Sequence, residues 1–178
     1  MDGSLLGLSP AGAARLFLLA VAPVALWVCW TDLKYMKIRN RAGWALVAIF
    51  AVAGLAALPP EIWAWRWLNL VVVFAAGLFL HLAAGVGAGD VKFAAAAAPF
   101  VAPAHAPMIL PIFSAFLLGA FVTHRALRAI PAVRRLAPDW ESWRRPDFPM
   151  GLAIAGTLVA YLVLTGWPGL YGAVLNRM

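Results

Sequence analysis

Residues 66–84, RWLNLVVVFAAGLFLHLAA, decide the class of fold. Arg66 is the only residue of this stretch that carries a formal charge at neutral pH, and most of the others are apolar. A helix rises about 1.5 Å per residue, so a stretch of this length spans most of a hydrocarbon core about 30 Å thick. The sequence therefore predicts a transmembrane helix here.

Similar apolar runs lie on both sides of this stretch, near residues 12–31, 42–58, 91–103, 107–127 and 149–167. The run at 91–103 is short, reaching only about 20 Å as a helix, and prolines flank it and separate it from the next run. These prolines are Pro99, Pro103, Pro107 and Pro111. We therefore predict an all-α, polytopic membrane protein with about six transmembrane helices and a short, Pro-flanked fourth helix, forming a single domain over residues 1–178.

The composition supports this class, because 65% of the residues are hydrophobic and only 12% are charged. Soluble domains are about half apolar and about a quarter charged, so an ordinary soluble enzyme is excluded. The formal charge of +7 comes mostly from residues between apolar runs, which indicates membrane topology and contact with lipids, and no nucleic-acid partner. A single cysteine, Cys29, excludes an internal disulfide framework and a CxxC metal site.

The positions of the basic residues predict the orientation in the membrane. If residues 91–127 cross twice, most of the 14 basic residues lie on one side, in residues 34–41, at Lys92 and in residues 125–145. Cytoplasmic loops carry an excess of Lys and Arg. We therefore expect a cytoplasmic basic loop at about 128–148 and both chain termini outside.

Two acidic residues stand out because the other five of the seven fall in predicted loops or at the amino terminus. Asp32 ends the first predicted helix and Asp90 begins the fourth, so both lie at the cytoplasmic end of the bundle. Two carboxylates at one level can share a proton and hold a water molecule, as in aspartyl proteolysis. A purely structural interpretation stays open, with Asp90 as a helix N-cap and Asp32 as a loop residue beside Lys34.

The residues before Asp90 are rich in glycine, with Gly85, Gly87 and Gly89 alternating with other residues. Missing side chains and access to positive φ would let the backbone approach an extended peptide. A phosphate-binding loop is the rival interpretation, but no Lys-Ser or Lys-Thr follows the glycines, and Asp90 would repel the anion.

These residues resemble a known family. Gly87-Ala88-Gly89-Asp90-Val91-Lys92 is similar to the GxGD motif of intramembrane aspartyl proteases, in the form typical of type IV prepilin peptidases. Asp32 followed by Ile38-Arg39-Asn40 resembles the first motif of that family, in which Pro usually stands at the place of Arg39. Pro149-Met150-Gly151 resembles the third motif, in which an aromatic residue usually stands at the place of Met150.

The resemblance implies an aspartyl endopeptidase of the bacterial cytoplasmic (inner) membrane that removes short leaders from prepilins or pseudopilins at the cytoplasmic face. It assigns catalysis to Asp32 and Asp90 and substrate binding to Gly87, Gly89, Pro149 and Gly151, with no metal and no cofactor. The chain is similar to the short members that serve Flp-type tight-adherence pili, with the pilus-assembly machinery as a partner. Larger members carry paired CxxC motifs and a methyltransferase activity, which we do not expect here.

Two alternatives from other classes stay open. One is a small proton-coupled transporter that uses Asp32 and Asp90 as relay groups. Such sites usually lie near the bilayer midplane, whereas these acids are predicted at its inner edge. The other is a non-catalytic membrane subunit of a secretion system, which would tolerate the loss of either carboxylate.

Overall fold

The computed structural model describes residues 3–170, in which all regular secondary structure is helical. Helix α1 is Pro10–Tyr35, α2 is Asn40–Ala57, α3 is Pro60–Ala84, and α4 is Ala88–Ala97. Three helices follow, α5 at Ala106–Ala129, α6 at Pro131–Leu136 and α7 at Gly151–Gly166. Short 3₁₀ turns occupy Ala98–Phe100, Pro103–His105 and Glu141–Trp143.

Local sequence signals define both ends of α1. Ser9 is the N-cap, and its hydroxyl accepts a hydrogen bond from the Gly12 N–H at 3.2 Å, while Pro10 occupies the first helical position, where no N–H is needed. The helix ends at Met36, which adopts a left-handed conformation with φ of 50°. Asp32 thus lies in the last turn of α1.

Helices α7 and α4 each contact several other helices. Helix α7 packs most extensively against α1 and also contacts α5 and α4, while α4 packs against α3 and α2. Three aromatic side chains, Phe17, Phe50 and Phe100, are almost completely buried and contact one another between these helices. At one end of the bundle, the last turn of α1 and the residues that follow it meet the first residues of α7 and of α4.

The lengths of the helices confirm the predicted class. Within residues 3–170, four helical segments are long and apolar enough to cross a membrane, namely α1, α2, α3 and Pro103–Ala129, and α7 is a shorter apolar helix. Helix α4 with its 3₁₀ turn is shorter than the hydrocarbon core is thick. The all-α, multi-pass architecture is confirmed, whereas the count of six crossings stays a prediction.

Candidate active site

Asp32 is held by the start of the last helix, far away in sequence. Its side chain is buried, and its Oδ2 atom accepts a hydrogen bond of 2.7 Å from the backbone N–H of Gly151. The first N–H groups of a helix have no partner within that helix, and Gly151 is the first residue of α7. This bond therefore satisfies one free N–H and fixes the direction of the carboxylate.

Glycine at position 151 allows α7 to approach α1 closely. A Cβ atom at Gly151 would lie 2.9 Å from Asp32 Oδ2 and 3.0 Å from Val28 Cγ1. Carbon atoms in contact ordinarily lie about 3.5–4.0 Å apart. Pro149, two residues earlier, is buried as well. The structure thus places Gly151 beside Asp32 and buries Pro149 just before α7. The role of both residues in substrate binding stays a prediction.

Asp90 lies in the first turn of α4, where Gly87 is the N-cap residue. The purely capping interpretation assigned the N-cap to Asp90 itself, and the structure does not place it there. Its partly buried carboxylate lies over Gly87, since a Cβ atom at that position would collide with Asp90 Oδ2. Within residues 3–170, the Asp90 side chain has no hydrogen-bond partner and forms no ion pair.

The other glycines of this segment have separate local roles. Gly85 ends α3 with φ of 69°, and its N–H donates to the His81 carbonyl oxygen at 3.1 Å. A Cβ atom at Gly89 would lie 3.3 Å from the Ile38 carbonyl oxygen. The start of α4 is therefore in contact with the segment that follows α1, which brings Asp90 toward the end of the bundle where Asp32 lies.

Both carboxylates lie at the end of the bundle where the start of α4 contacts the residues that follow α1. Neither forms an ion pair with a described basic residue, because the ion pairs of residues 3–170 involve other acids. No group of three or more His, Cys, Asp or Glu side chains that could hold a metal ion occurs in this part of the chain.

The basic loop between α5 and α7 packs against α1 beside the site. Lys34 Nζ lies 2.8 Å from Asp139 Oδ2, and the ring of Trp140 contacts that of Trp30 edge-on at 5.7 Å. The hydrogen-bonded Lys34 ammonium holds the pKa of Asp139 below its usual range. The loop leads directly into residues 149–151, so its attachment to α1 helps to position the start of α7.

A stacked aromatic pair attaches the same loop to α5. His124 is buried and stacks on Trp143 at 5.1 Å between ring centroids. Nearby, Arg125 and Arg128 donate hydrogen bonds to the carbonyl oxygens of Pro146 and Arg145. The sequence alone indicated lipid contact for this loop, and the contacts with α1 and α5 were not foreseen.

The fold and the site define a class: an all-helical, multi-pass membrane protein with two carboxylates, those of Asp32 and Asp90, at one end of its bundle. The model of the type IV leader peptidase family matches residues 19–124, which include Asp32 and Asp90. The chain belongs to this family and is a membrane-embedded peptidase. Pro149 and Gly151 lie outside the matched residues. Neither the curated proteins nor the solved structures that were compared with the chain gave a significant match.

Proposed function

We propose that the protein is an aspartyl endopeptidase that removes the leader of prepilins, with Asp32 and Asp90 activating the attacking water. The observation that carries this proposal is the hydrogen bond from Gly151 to the buried Asp32 at the end of the bundle where Asp90 begins α4. Both acids fall within the residues that match the leader peptidase family. The family match supports cleavage of a peptide bond as the reaction, and the two carboxylates are the groups that would activate the attacking water.

The chemistry needs one ionised and one protonated carboxyl group. The ionised group accepts a proton from water while the water oxygen attacks the carbonyl carbon of the scissile peptide bond, and the protonated group gives its proton to the carbonyl oxygen. The resulting tetrahedral intermediate collapses, the C–N bond breaks, and the leaving amine takes up a proton. The leader departs with a new carboxylate and the pilin with a new amino terminus, without a covalent enzyme intermediate.

The substrates and the location follow from the resemblance and from the charge pattern. We propose Flp-like prepilins or pseudopilins as substrates, the bacterial inner membrane as the location, and the pilus-assembly machinery as a partner. The basic residues between α5 and α7 support a cytoplasmic active site and termini on the outer side. With Cys29 as the single cysteine, the paired CxxC motifs of methylating members are missing, so we propose peptidase activity without N-methyltransferase activity.

Co-expression with candidate prepilins from the same genome tests the proposed activity. Leader removal is read as a gel shift in cells that carry wild-type protein, Asp32→Asn or Asp90→Asn. We expect cleavage by the wild type and none by either Asn variant, with membrane insertion unchanged. Glu61→Gln is the matched control, because Glu61 is an exposed acid at the far end of α3 and its loss should leave cleavage intact. Processing at a near wild-type rate by either Asn variant would contradict the assignment and favour a non-catalytic subunit.

Accessibility labelling tests the proposed orientation. Single cysteines are introduced near Arg39, Arg135, Glu61 and His105 in a Cys29→Ala background. We expect the first two positions to react only from the cytoplasm and the last two only from outside. If the two basic segments were labelled from opposite sides, residues 91–127 would cross once and the proposed orientation of the site would be wrong.

A further inference from the structure

A second site lies at the end of the bundle opposite Asp32. A partly open cavity of about 610 Å³ is lined there by the start of α1, the end of α2, the start of α3, the turn before α5 and the end of α7. Most of its lining is apolar, and its polar side chains are those of Arg66, His105, Tyr161 and Thr165. Because both carboxylates of the active site are at the other end, the proposed peptidase reaction does not use this cavity.

Arg66 is the unusual member of this lining, because its charge is not balanced by any described group. Its Nη1 donates one long hydrogen bond of 3.3 Å to the Phe100 carbonyl oxygen, and its buried Nε has no hydrogen-bond partner. In residues 3–170, no carboxylate lies within ion-pair distance of it. Arg66 is partly buried, and a guanidinium removed from water without a counter-charge is costly. Ionisable groups within membrane segments usually have a partner.

Arg15 lies at the same end of the bundle, and its guanidinium has partners that stabilise its charge. The Nε of Arg15 donates a hydrogen bond of 2.7 Å to the carbonyl oxygen of Gly166, the last residue of α7. Its guanidinium also lies over the ring of Trp167, at 5.0 Å from the centroid. A helix C-terminus and an aromatic face both stabilise a cation. Of these two arginines, only Arg66 therefore lacks a described group that balances its charge.

A second hydrogen-bond donor lines the cavity beside Arg66. The Tyr161 hydroxyl accepts the Ala102 N–H at 3.0 Å and lies 2.9 Å from His105 Nδ1. If the hydroxyl donates to Nδ1, a neutral His105 ring keeps its proton on Nε2, and if Nδ1–H donates to the hydroxyl oxygen, Tyr161 keeps its own proton. In either case the Tyr161–His105 pair keeps one free donor proton. The polar part of the lining thus presents a cation and a hydrogen-bond donor, which is the chemistry that binds an oxyanion.

The depth of Arg66 indicates the source of this oxyanion. Arg66 lies six residues after Pro60, the first residue of α3, or about 9 Å along the helix. The neighbouring Trp63 and Trp67 contact each other edge-on, and tryptophans are typical of the interface between lipid headgroups and acyl chains. At this depth, the anion at hand in a bilayer is the phosphate of a lipid.

We propose that this cavity binds an anionic phospholipid, with its phosphate on Arg66 and part of an acyl chain along the apolar lining. The apolar lining residues with surface available to the acyl chain include Leu8, Ile62, Met108 and Leu164. The lipid supplies the counter-charge that the described residues lack. Because the cavity bridges α1, α3 and α7, the bound lipid also holds these helices together.

Lipid titration of the purified protein, followed by native mass spectrometry, tests this proposal. The probes are dioleoylphosphatidylglycerol, dioleoylphosphatidylcholine and inorganic phosphate alone. We expect wild-type protein to bind the anionic lipid at least about tenfold more tightly than the zwitterionic lipid, because the choline ammonium of the zwitterionic lipid neutralises its own phosphate and places a second cation near Arg66. Inorganic phosphate should not displace it at comparable concentrations, because phosphate has no acyl chain.

Two variants assign the binding to Arg66. Arg66→Gln should lose the preference for the anionic lipid, whereas Arg15→Gln, at the same end of the bundle, should keep it. Equal binding of the two lipids by wild-type protein would overturn the proposal without any variant, as would an unchanged preference in Arg66→Gln. Efficient displacement by inorganic phosphate would show a site for free anions instead.

The acidic residue Asp2 lies outside the described residues and provides a last control. If the carboxylate of Asp2 were the resident counter-charge, Asp2→Asn would strengthen binding of the anionic lipid, and the proposal would be wrong. We expect Asp2→Asn to bind this lipid as the wild type does. Leader cleavage is not the readout of these experiments, so their outcome is independent of the proposed peptidase activity.

Discussion

Gly151→Ala is the most informative single substitution, because it adds one methyl group where α7 meets the Asp32 carboxylate. The new Cβ would lie 2.9 Å from Asp32 Oδ2, 3.1 Å from Asp32 Cβ and 3.0 Å from Val28 Cγ1. Rotation of the Asp32 side chain could relieve the first contact. The branched Val28 side chain cannot move away so easily, since a β-branched residue has one strongly preferred rotamer in a helix.

The expected size of the effect follows from these distances. Two carbon atoms need about 3.5 Å, so the start of α7 and α1 must separate by about 0.5 Å near Val28. A displacement of about 1 Å at a reacting group costs about 100-fold in rate, so we expect a loss of cleavage of about 10- to 100-fold. Overpacking of this kind lowers the free energy of unfolding by about 1–3 kcal/mol.

The assay is the rate of leader cleavage by purified protein, together with a thermal denaturation curve at the same lipid composition. Gly119→Ala is the matched control, because a Cβ atom at Gly119, within α5, would meet no other atom within 4 Å. This control should keep the rate of the wild type and be at least as stable, because alanine is a better helix former than glycine. A folded Gly151→Ala protein that cleaves prepilin at the wild-type rate would refute the claim that close contact between α7 and Asp32 positions the carboxylate.

Three further predictions follow from contacts elsewhere in the molecule. Gly87→Ala puts a Cβ against the Asp90 carboxylate, so it should lower the cleavage rate of purified protein. The α-helical content measured by circular dichroism should stay unchanged, and a wild-type cleavage rate would contradict the contact between residue 87 and Asp90. Gly54→Ala puts a Cβ 2.9 Å from the ring of Trp63, so it should lower the melting temperature while the cleavage rate per folded molecule is kept. The Asp139 carboxylate, whose pKa is lowered by its hydrogen bond with Lys34, should stabilise the loop fully above about pH 4 and lose this effect as the pH falls through its lowered pKa. Hydrogen exchange of residues 137–145 should then rise on acidification in the wild type relative to Asp139→Asn, and parallel curves would refute the role of this pair.

The class of fold was accessible from the sequence because hydrophobic length is a local property. Residues 66–84 alone predict a spanning helix, and the structure extends it to α3, Pro60–Ala84. The positions of Asp32 and Asp90 were also accessible, because each adjoins an apolar run of defined length. The short fourth helix was predicted from its prolines, and the structure gives it ten residues and a 3₁₀ turn.

The contacts that connect distant parts of the chain were not accessible from the sequence. Gly151 and Asp32 are 119 positions apart, and no periodicity relates them. Gly87 was predicted to clear space for a substrate backbone, but in the structure it also leaves room for the Asp90 side chain. The pairing of Lys34 with Asp139 depends on how the loop folds back over α1. Each of these contacts depends on tertiary packing, which the local patterns of a single sequence do not predict.

The measurement that tests the central claim most directly is a double-mutant cycle on the two carboxylates. Single-turnover rates of leader cleavage are measured with purified wild-type protein, Asp32→Asn, Asp90→Asn and the double variant. Groups that act as one catalytic unit show strongly non-additive losses. We predict that each single substitution lowers the rate by about 10³-fold or more, comparable with the loss of one member of a catalytic unit, and that the double variant is no slower than either single variant. A near wild-type rate in either single variant, or losses that multiply in the double variant, would contradict an Asp32–Asp90 pair acting on one water molecule.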